Sequence, residues 1–214
     1  MVKLNCSKIL VISPHTDDGE IGAGGSISMF IEEGVEVYYA AFSYCELSVL
    51  PEYPVDILKS ECKNATNILG IDENKLFFLD FEVRSFPENR QKILDALIKI
   101  KNEIHPDLIL IPSSNDIHQD HQVIYSESLR AFKKESSIWG YEHPWNNLKF
   151  TTDVFVSLDK RHIDKKIFAL KEYKSQNLRS YFDDKYLKSL AYTRGKQIEK
   201  KYAESFELIR FIVN

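Results

Sequence analysis

Two short polar segments hold the residue types that do chemistry. Ser13-Pro14-His15-Thr16-Asp17-Asp18-Gly19-Glu20 sets one histidine beside three carboxylates. Pro112 to His121 reads P-S-S-N-D-I-H-Q-D-H and adds Asp116, His118, Asp120 and His121. Two imidazoles and a carboxylate, with a fourth position open to water, make a catalytic zinc site. Spare carboxylates beside such a site act as a general base or orient a histidine from behind. The plain alternative is capping: Asp120 would N-cap the helix that follows it, and His121 would be a satisfied core histidine. Either segment alone leaves that alternative standing. Both at equivalent places in a fold weigh against it.

The surrounding elements make the places equivalent. Lys8 to Ser13 is an unbroken apolar run, as expected of a buried parallel strand. Leu108 to Ile111 is another. Between them the sequence predicts a glycine-rich turn (Gly19, Gly22, Gly24, Gly25), a helix over Ile27 to Glu33, and a strand from Val35 to Phe42. A helix over Asp56 to Leu69, a short strand from Leu76 to Leu79 and a helix over Asn89 to Ile104 follow. After the second polar segment come a helix from about Asp120 to Lys134 and strands at Ser137 to Tyr141 and Asp153 to Leu158. Last come a helix from Asp159 to about Tyr173, further helix within Lys185 to Phe206, and a strand over Leu208 to Val213. Alternating strands and helices predict an α/β fold: a single Rossmann-like domain over residues 1–214, with a mostly parallel sheet flanked by helices. Ligands in such sheets bind beyond the C-terminal strand ends, and both polar segments follow a strand.

Composition excludes other classes. With Lys+Arg 28 against Asp+Glu 32, net charge is −4 and no basic block exists, so nucleic-acid binding has no electrostatic support. No apolar stretch is long enough to span a membrane, and the first residues lack the apolar core of a signal peptide. Cys6, Cys45 and Cys62 match no zinc spacing and suit a reducing compartment. The expectation is a cytoplasmic protein. Gly22-Ala23-Gly24-Gly25 is not a dinucleotide loop, because Ile27 stands where its third glycine belongs. These glycines instead let the helix pack closely under the metal loop.

Other residues at the same sheet edge are candidates for substrate contact. Arg84 follows the third strand and suits a phosphate or carboxylate, or else a surface ion pair. Tyr44 and Glu46 follow the second strand. Trp145, in His143-Pro144-Trp145-Asn146-Asn147, suits a sugar face, or else ordinary core. His105 and His162 fall at helix ends, where capping explains them.

His15-Thr16-Asp17-Asp18 followed by Gly22-Ala23-Gly24-Gly25 resembles the H-P-D-D…G-x-G-G signature of the LmbE/PIG-L zinc-dependent N-acetylglucosamine deacetylases. His118-Gln119-Asp120-His121 resembles the same family's H-x-D-H signature. Arg194-Gly195 and Tyr202-Ala203-Glu204 resemble a weaker C-terminal pattern, which alone recommends Arg194 for the site. The resemblance implies that His15, Asp18 and His121 bind zinc and that Asp17 is the general base. It implies that a protonated His118 supports the oxyanion, with protonation of the leaving amine as its second task, and that Asp120 orients a neighbouring histidine. Fe²⁺ is an alternative metal for such donors. Thr16 replaces the family's proline, and Gly19 stands where many members carry an acid. The expected function is removal of acetate from a small-molecule N-acetyl amino sugar or its conjugate. A metal-dependent phosphoesterase and a non-catalytic sugar- or nucleotide-binding module are the alternatives. Oligomeric state is not legible.

Overall fold

The computed structural model describes residues 6–213. The run after Lys8 becomes β1 (Lys8–His15), buried from Ile9 onward. Its side chains serve two cores: Ile9 and Val11 join one, Leu10 and Ile12 the other. A strand covered on both faces must be apolar on both, which is why its sequence shows no alternation.

β2 (Glu36–Ser43) and β4 (Leu108–Pro112) pair with β1 in parallel, one on each side. β3 (Leu76–Phe78) extends the sheet beyond β2, and β5 (Ser137–Tyr141) extends it beyond β4, both parallel. β7 (Tyr202–Arg210) pairs antiparallel with β5, and β6 (Val154–Leu158) antiparallel with β7. The order is β3-β2-β1-β4-β5-β7-β6. The chain travels outward from β1 to β3 and then crosses back to β4. Strand order therefore reverses between β1 and β4, where the diverging connections open a crevice.

Helices cover both faces. α1 (Asp18–Glu32), α2 (Ile57–Leu69) and α5 (Lys160–Leu170) pack together on one core, and α3 (Arg90–Ile104) and α4 (Gln119–Ala131) on the other. α6 (Asp184–Lys196) lies against β7. No helix among the described residues is long and apolar enough to cross a membrane.

Two expectations are corrected. The glycines of the first segment form no turn: α1 starts at Asp18 and runs through all four. They serve close approach, as expected. A Cβ on Gly22 would lie 2.5 Å from the Tyr141 ring, and one on Gly25 2.7 Å from Leu158 Cδ1. Second, the C-terminal helix ends at Lys196, and the last strand begins at Tyr202 rather than Leu208. Glu204 is the cause of that misreading. It is buried in the strand, where it takes Lys166 Nζ at 2.6 Å and the Ser26 N–H at 2.7 Å, so the apolar alternation is broken. His105 and His162 do cap, the first ending α3 in a left-handed conformation and the second closing a capping box on α5.

Candidate active site

β1 ends in His15, and α1 begins three residues later. This short turn sets His15 and Asp18 face to face, with the His15 N–H donating to Asp18 Oδ2 at 2.8 Å. β4 delivers the second segment to the neighbouring strand end. His118 N-caps α4, its Nδ1 accepting from the Asp120 N–H at 3.2 Å, and His121 lies one turn further on. Asp120 is therefore not the cap.

Three donor atoms converge. Asp18 Oδ2 lies 3.0 Å from His15 Nδ1 and 3.2 Å from His121 Nε2, and those two nitrogens are 3.3 Å apart. Ligands of a tetrahedral zinc, bound at roughly 2.0–2.1 Å, are separated by roughly 3.3 Å. The remaining ring nitrogens are held by carboxylates: His15 Nε2 by Asp120 Oδ2 at 3.0 Å and His121 Nδ1 by Asp116 Oδ2 at 2.7 Å. Each pair leaves the metal-facing nitrogen with a free lone pair once the histidine is neutral. His118 joins His15 and His121 in one possible ligand set, and His143 joins Asp18 and His121 in another. The two sets share His121, so they describe one centre. His143 is fully buried and donates from Nε2 to the Asp18 carbonyl at 3.1 Å. Its Nδ1 has no partner, facing Asp116 at 3.6 Å and Asp18 at 3.9 Å. An orphaned nitrogen among carboxylates, beside the donor triangle, fits a site built for a cation.

Burial and neighbouring charges act against each other across the cluster. Burial opposes charge on His15 and His121, but the Asp18 carboxylate and their flanking partners override it, raising them to about 10 and about 9. Asp18 is held well below the carboxylate range despite burial, by His121 and His15. Burial and then the positive charges of His121 and His15 push His118 down to about 4. Since Nδ1 of His118 accepts from the backbone, neutral His118 carries its proton on Nε2. Nε2–H is a donor in the neutral ring and in the imidazolium alike. Asp17 makes no capping bond with its side chain. Burial and then the Asp18 charge push it up to about 6.

Two departures from the family signature have structural answers. Thr16 is buried, and its carbonyl accepts from the Tyr39 and Tyr173 hydroxyls, which fix the loop in place of a proline ring. Gly19 has no room for a side chain, because a Cβ would lie 2.7 Å from Tyr39 Cε2. Glu20 faces the interior, where the same two hydroxyls meet its carboxyl group, and burial raises it to about 8.

The centre lies in the wall of a pocket of about 300 Å³. Of the expected substrate contacts, Arg84 and Trp145 line it. Tyr44 and Glu46 do not: Cys45 takes a left-handed conformation that turns its own side chain and Ser48 inward, while Tyr44 packs on Phe78. Arg194 is also outside, forming an ion pair with Glu142 from α6. Asp116 acquires a partner that its sequence position alone did not name. His143 was legible only as a wall residue, although it follows β5 at the same sheet edge. Gln176, Arg179 and Tyr181 complete the pocket from a distant loop with no motif to flag them.

The family profile described as "PIG-L: GlcNAc-PI de-N-acetylase" matches residues 10–132. An Escherichia coli protein described as "Uncharacterized deacetylase YaiS" is 31% identical over 78% of this chain and 90% of its own length. The chain belongs to the PIG-L family. The diacetylchitobiose deacetylase of Thermococcus kodakarensis is 25% identical over 96% of this chain and 83% of its own. Among solved structures, the N,N'-diacetylchitobiose deacetylase of Pyrococcus horikoshii superposes with TM-score 0.80 at 21% identity, covering 96% of this chain and 85% of that one. GalB of Pseudomonas putida, a 4-carboxy-2-hydroxymuconate hydratase, does so at 0.79 and 20%, covering 97% and 98%. The fold alone thus does not fix the reaction. Family membership makes this chain a deacetylase, a hydrolase of amide C–N bonds.

Proposed function

We propose that this protein removes acetate from an N-acetylated amino sugar or its conjugate, using one divalent metal held by His15, Asp18 and His121. The observation that carries this reading is the triangle of donor atoms with the uncapped Asp17 carboxylate beside it in a pocket wall. Zinc suits the donor set, and Fe²⁺ is the alternative. When bound, the metal supplies a Lewis acid that polarises the acetamide carbonyl and makes water more acidic.

The protein's own residues do the rest. Asp17 takes a proton from the attacking water and returns it to the departing nitrogen, so acetate and a free amine leave. His118 donates its Nε2–H to the carbonyl oxygen as that oxygen gains charge. Asp120 and Asp116 fix the ring orientation of His15 and His121. Trp145, stacked with both His143 and Tyr181, lines the pocket together with Tyr181 and gives the sugar an aromatic wall. The relatives named for diacetylchitobiose support a sugar substrate.

Acetate release from a panel of N-acetyl amino sugars tests the reading, with metal added back. We expect stoichiometric acetate and amine. Full metal loading with no acetate from any member, or hydration of an enol acid instead, overturns it.

A further inference from the structure

Asp17 stands as the base, yet its carboxylate makes no capping bond that would hold it. Its direction is therefore set by the backbone on either side. The Asp17 carbonyl accepts from the Ile21 N–H at 3.0 Å, within the first turn of α1. The preceding peptide is fixed by different means. Its carbonyl, that of Thr16, accepts from the Tyr39 hydroxyl at 3.0 Å and from the Tyr173 hydroxyl. Tyr39 stands on β2 and Tyr173 follows α5, so two elements far apart in sequence converge on one oxygen. Thr16 and both rings are buried, so solvent cannot replace a lost donor.

Each hydroxyl has a single proton. Both also meet the Glu20 carboxyl group, Tyr39 at Oε2 and Tyr173 at Oε1, the latter at 2.7 Å. Ser13 Oγ, 2.9 Å from the Tyr39 hydroxyl, is already engaged with the Gly19 N–H and the His15 carbonyl. The peptide carbonyl and the carboxyl group thus share two protons, and two phenols are needed to serve both.

We propose that Tyr39 and Tyr173 are positioning residues for Asp17. Together they set the plane of the Thr16–Asp17 peptide and, through it, the direction of the carboxylate. This deepens the deacetylase reading and rests on it for the role of Asp17. Tyr173 also precedes the segment that brings Gln176, Arg179 and Tyr181 to the pocket. The base and that pocket wall are therefore tied to the same peptide oxygen.

Tyr39→Phe, Tyr173→Phe and the double variant test this on the metal-loaded protein, since each keeps its ring in the core. Steady-state deacetylation of an N-acetyl amino sugar and amide hydrogen exchange from Pro14 to Ile21 are the readouts. We expect metal affinity and KM to stay close to wild type. We expect kcat to fall in each single variant and about 10–100-fold in the double, the scale of a catalytic group misplaced by about 1 Å. Exchange rises in the same order. In an Asp17→Asn background the same changes cost nothing further, because they act through that carboxylate. An unchanged kcat in an active double variant overturns the proposal and leaves the deacetylase intact. So does a kcat loss that persists undiminished in Asp17→Asn, which marks a purely structural role. Should the double variant fail to fold, the single variants decide by the same criteria. Faster exchange in the variants, with no acetate released from any sugar even by wild type, supports the anchoring and removes the deacetylase reading.

Discussion

At the scale of single residues, the site is a set of paired groups. Every metal-facing histidine atom has a carboxylate behind its ring, and Asp116 does double duty, since its Oδ1 also accepts the His118 N–H at 2.8 Å. Burial opposes its ionisation, but the bond from His121 and the nearby charges of His121 and His143 keep it well below the usual carboxylate range. Asp116→Asn is expected to lower metal affinity about 10–100-fold, as loss of such outer partners does. Metal titration with a chelator as competitor checks it, and an unchanged affinity would make Asp116 mere packing. At this scale the sequence was informative wherever a residue fell inside one of the two motifs. It was silent on Arg179, because nothing within a few residues of Asn177-Leu178-Arg179-Ser180 indicates that the loop comes to line the pocket at the end of β1.

At the scale of elements, close packing overrules local propensity. Alanine is a better helix residue than glycine by about 1 kcal/mol. At Gly22 the comparison reverses, because the Tyr141 ring that a methyl would strike is pinned by its hydroxyl to the Ile12 carbonyl at 3.0 Å. Overpacking of this kind costs about 1–3 kcal/mol, so Gly22→Ala should lower the midpoint of denaturant unfolding. A stabilised variant would contradict that packing. The sequence predicts a turn there for the same reason: glycine spacing shows low helix propensity and cannot show which ring lies opposite.

The opposite edge of the sheet, where β1 and β4 begin, offers a second element-scale prediction. Asp107 Oδ2 accepts from the Ser7 N–H, the Ser7 hydroxyl and the Lys8 N–H at 2.8, 2.8 and 2.9 Å, tying the start of β1 to that of β4. Partial burial works against its charge, but those bonds prevail and lower its pKa. A depressed carboxylate contributes stability above its unfolded pKa, and the contribution fades as pH falls through the folded value. Asp107→Ala should therefore lower the melting temperature at pH 7. The gap from the parent should narrow below about pH 4, near the ordinary carboxylate value. A gap that stays constant down to pH 2 would show that the charge is irrelevant.

At the scale of the whole molecule, the fold exists to bring distant segments to one edge. The β1 loop, the β4 loop and the β5 loop meet because strand order reverses between β1 and β4. An antiparallel bridge from Asp116 to Asn147 joins the last two. The parallel half was legible because buried strands and amphipathic helices alternate there with clean punctuation. The antiparallel end was less so, since a buried Glu204–Lys166 pair interrupts the pattern that would have marked β7. The catalytic proposal depends on this assembly and reduces to one comparison. Wild type, Asp17→Asn and His121→Ala are loaded with metal, assayed for bound metal, and then assayed for acetate released from an N-acetyl amino sugar. We expect Asp17→Asn to retain its metal and lose about 10²–10⁴-fold in rate, the usual worth of a positioned base. His121→Ala should lose both metal and activity. An active Asp17→Asn protein, or a His121→Ala protein that keeps its metal, would contradict the site as described.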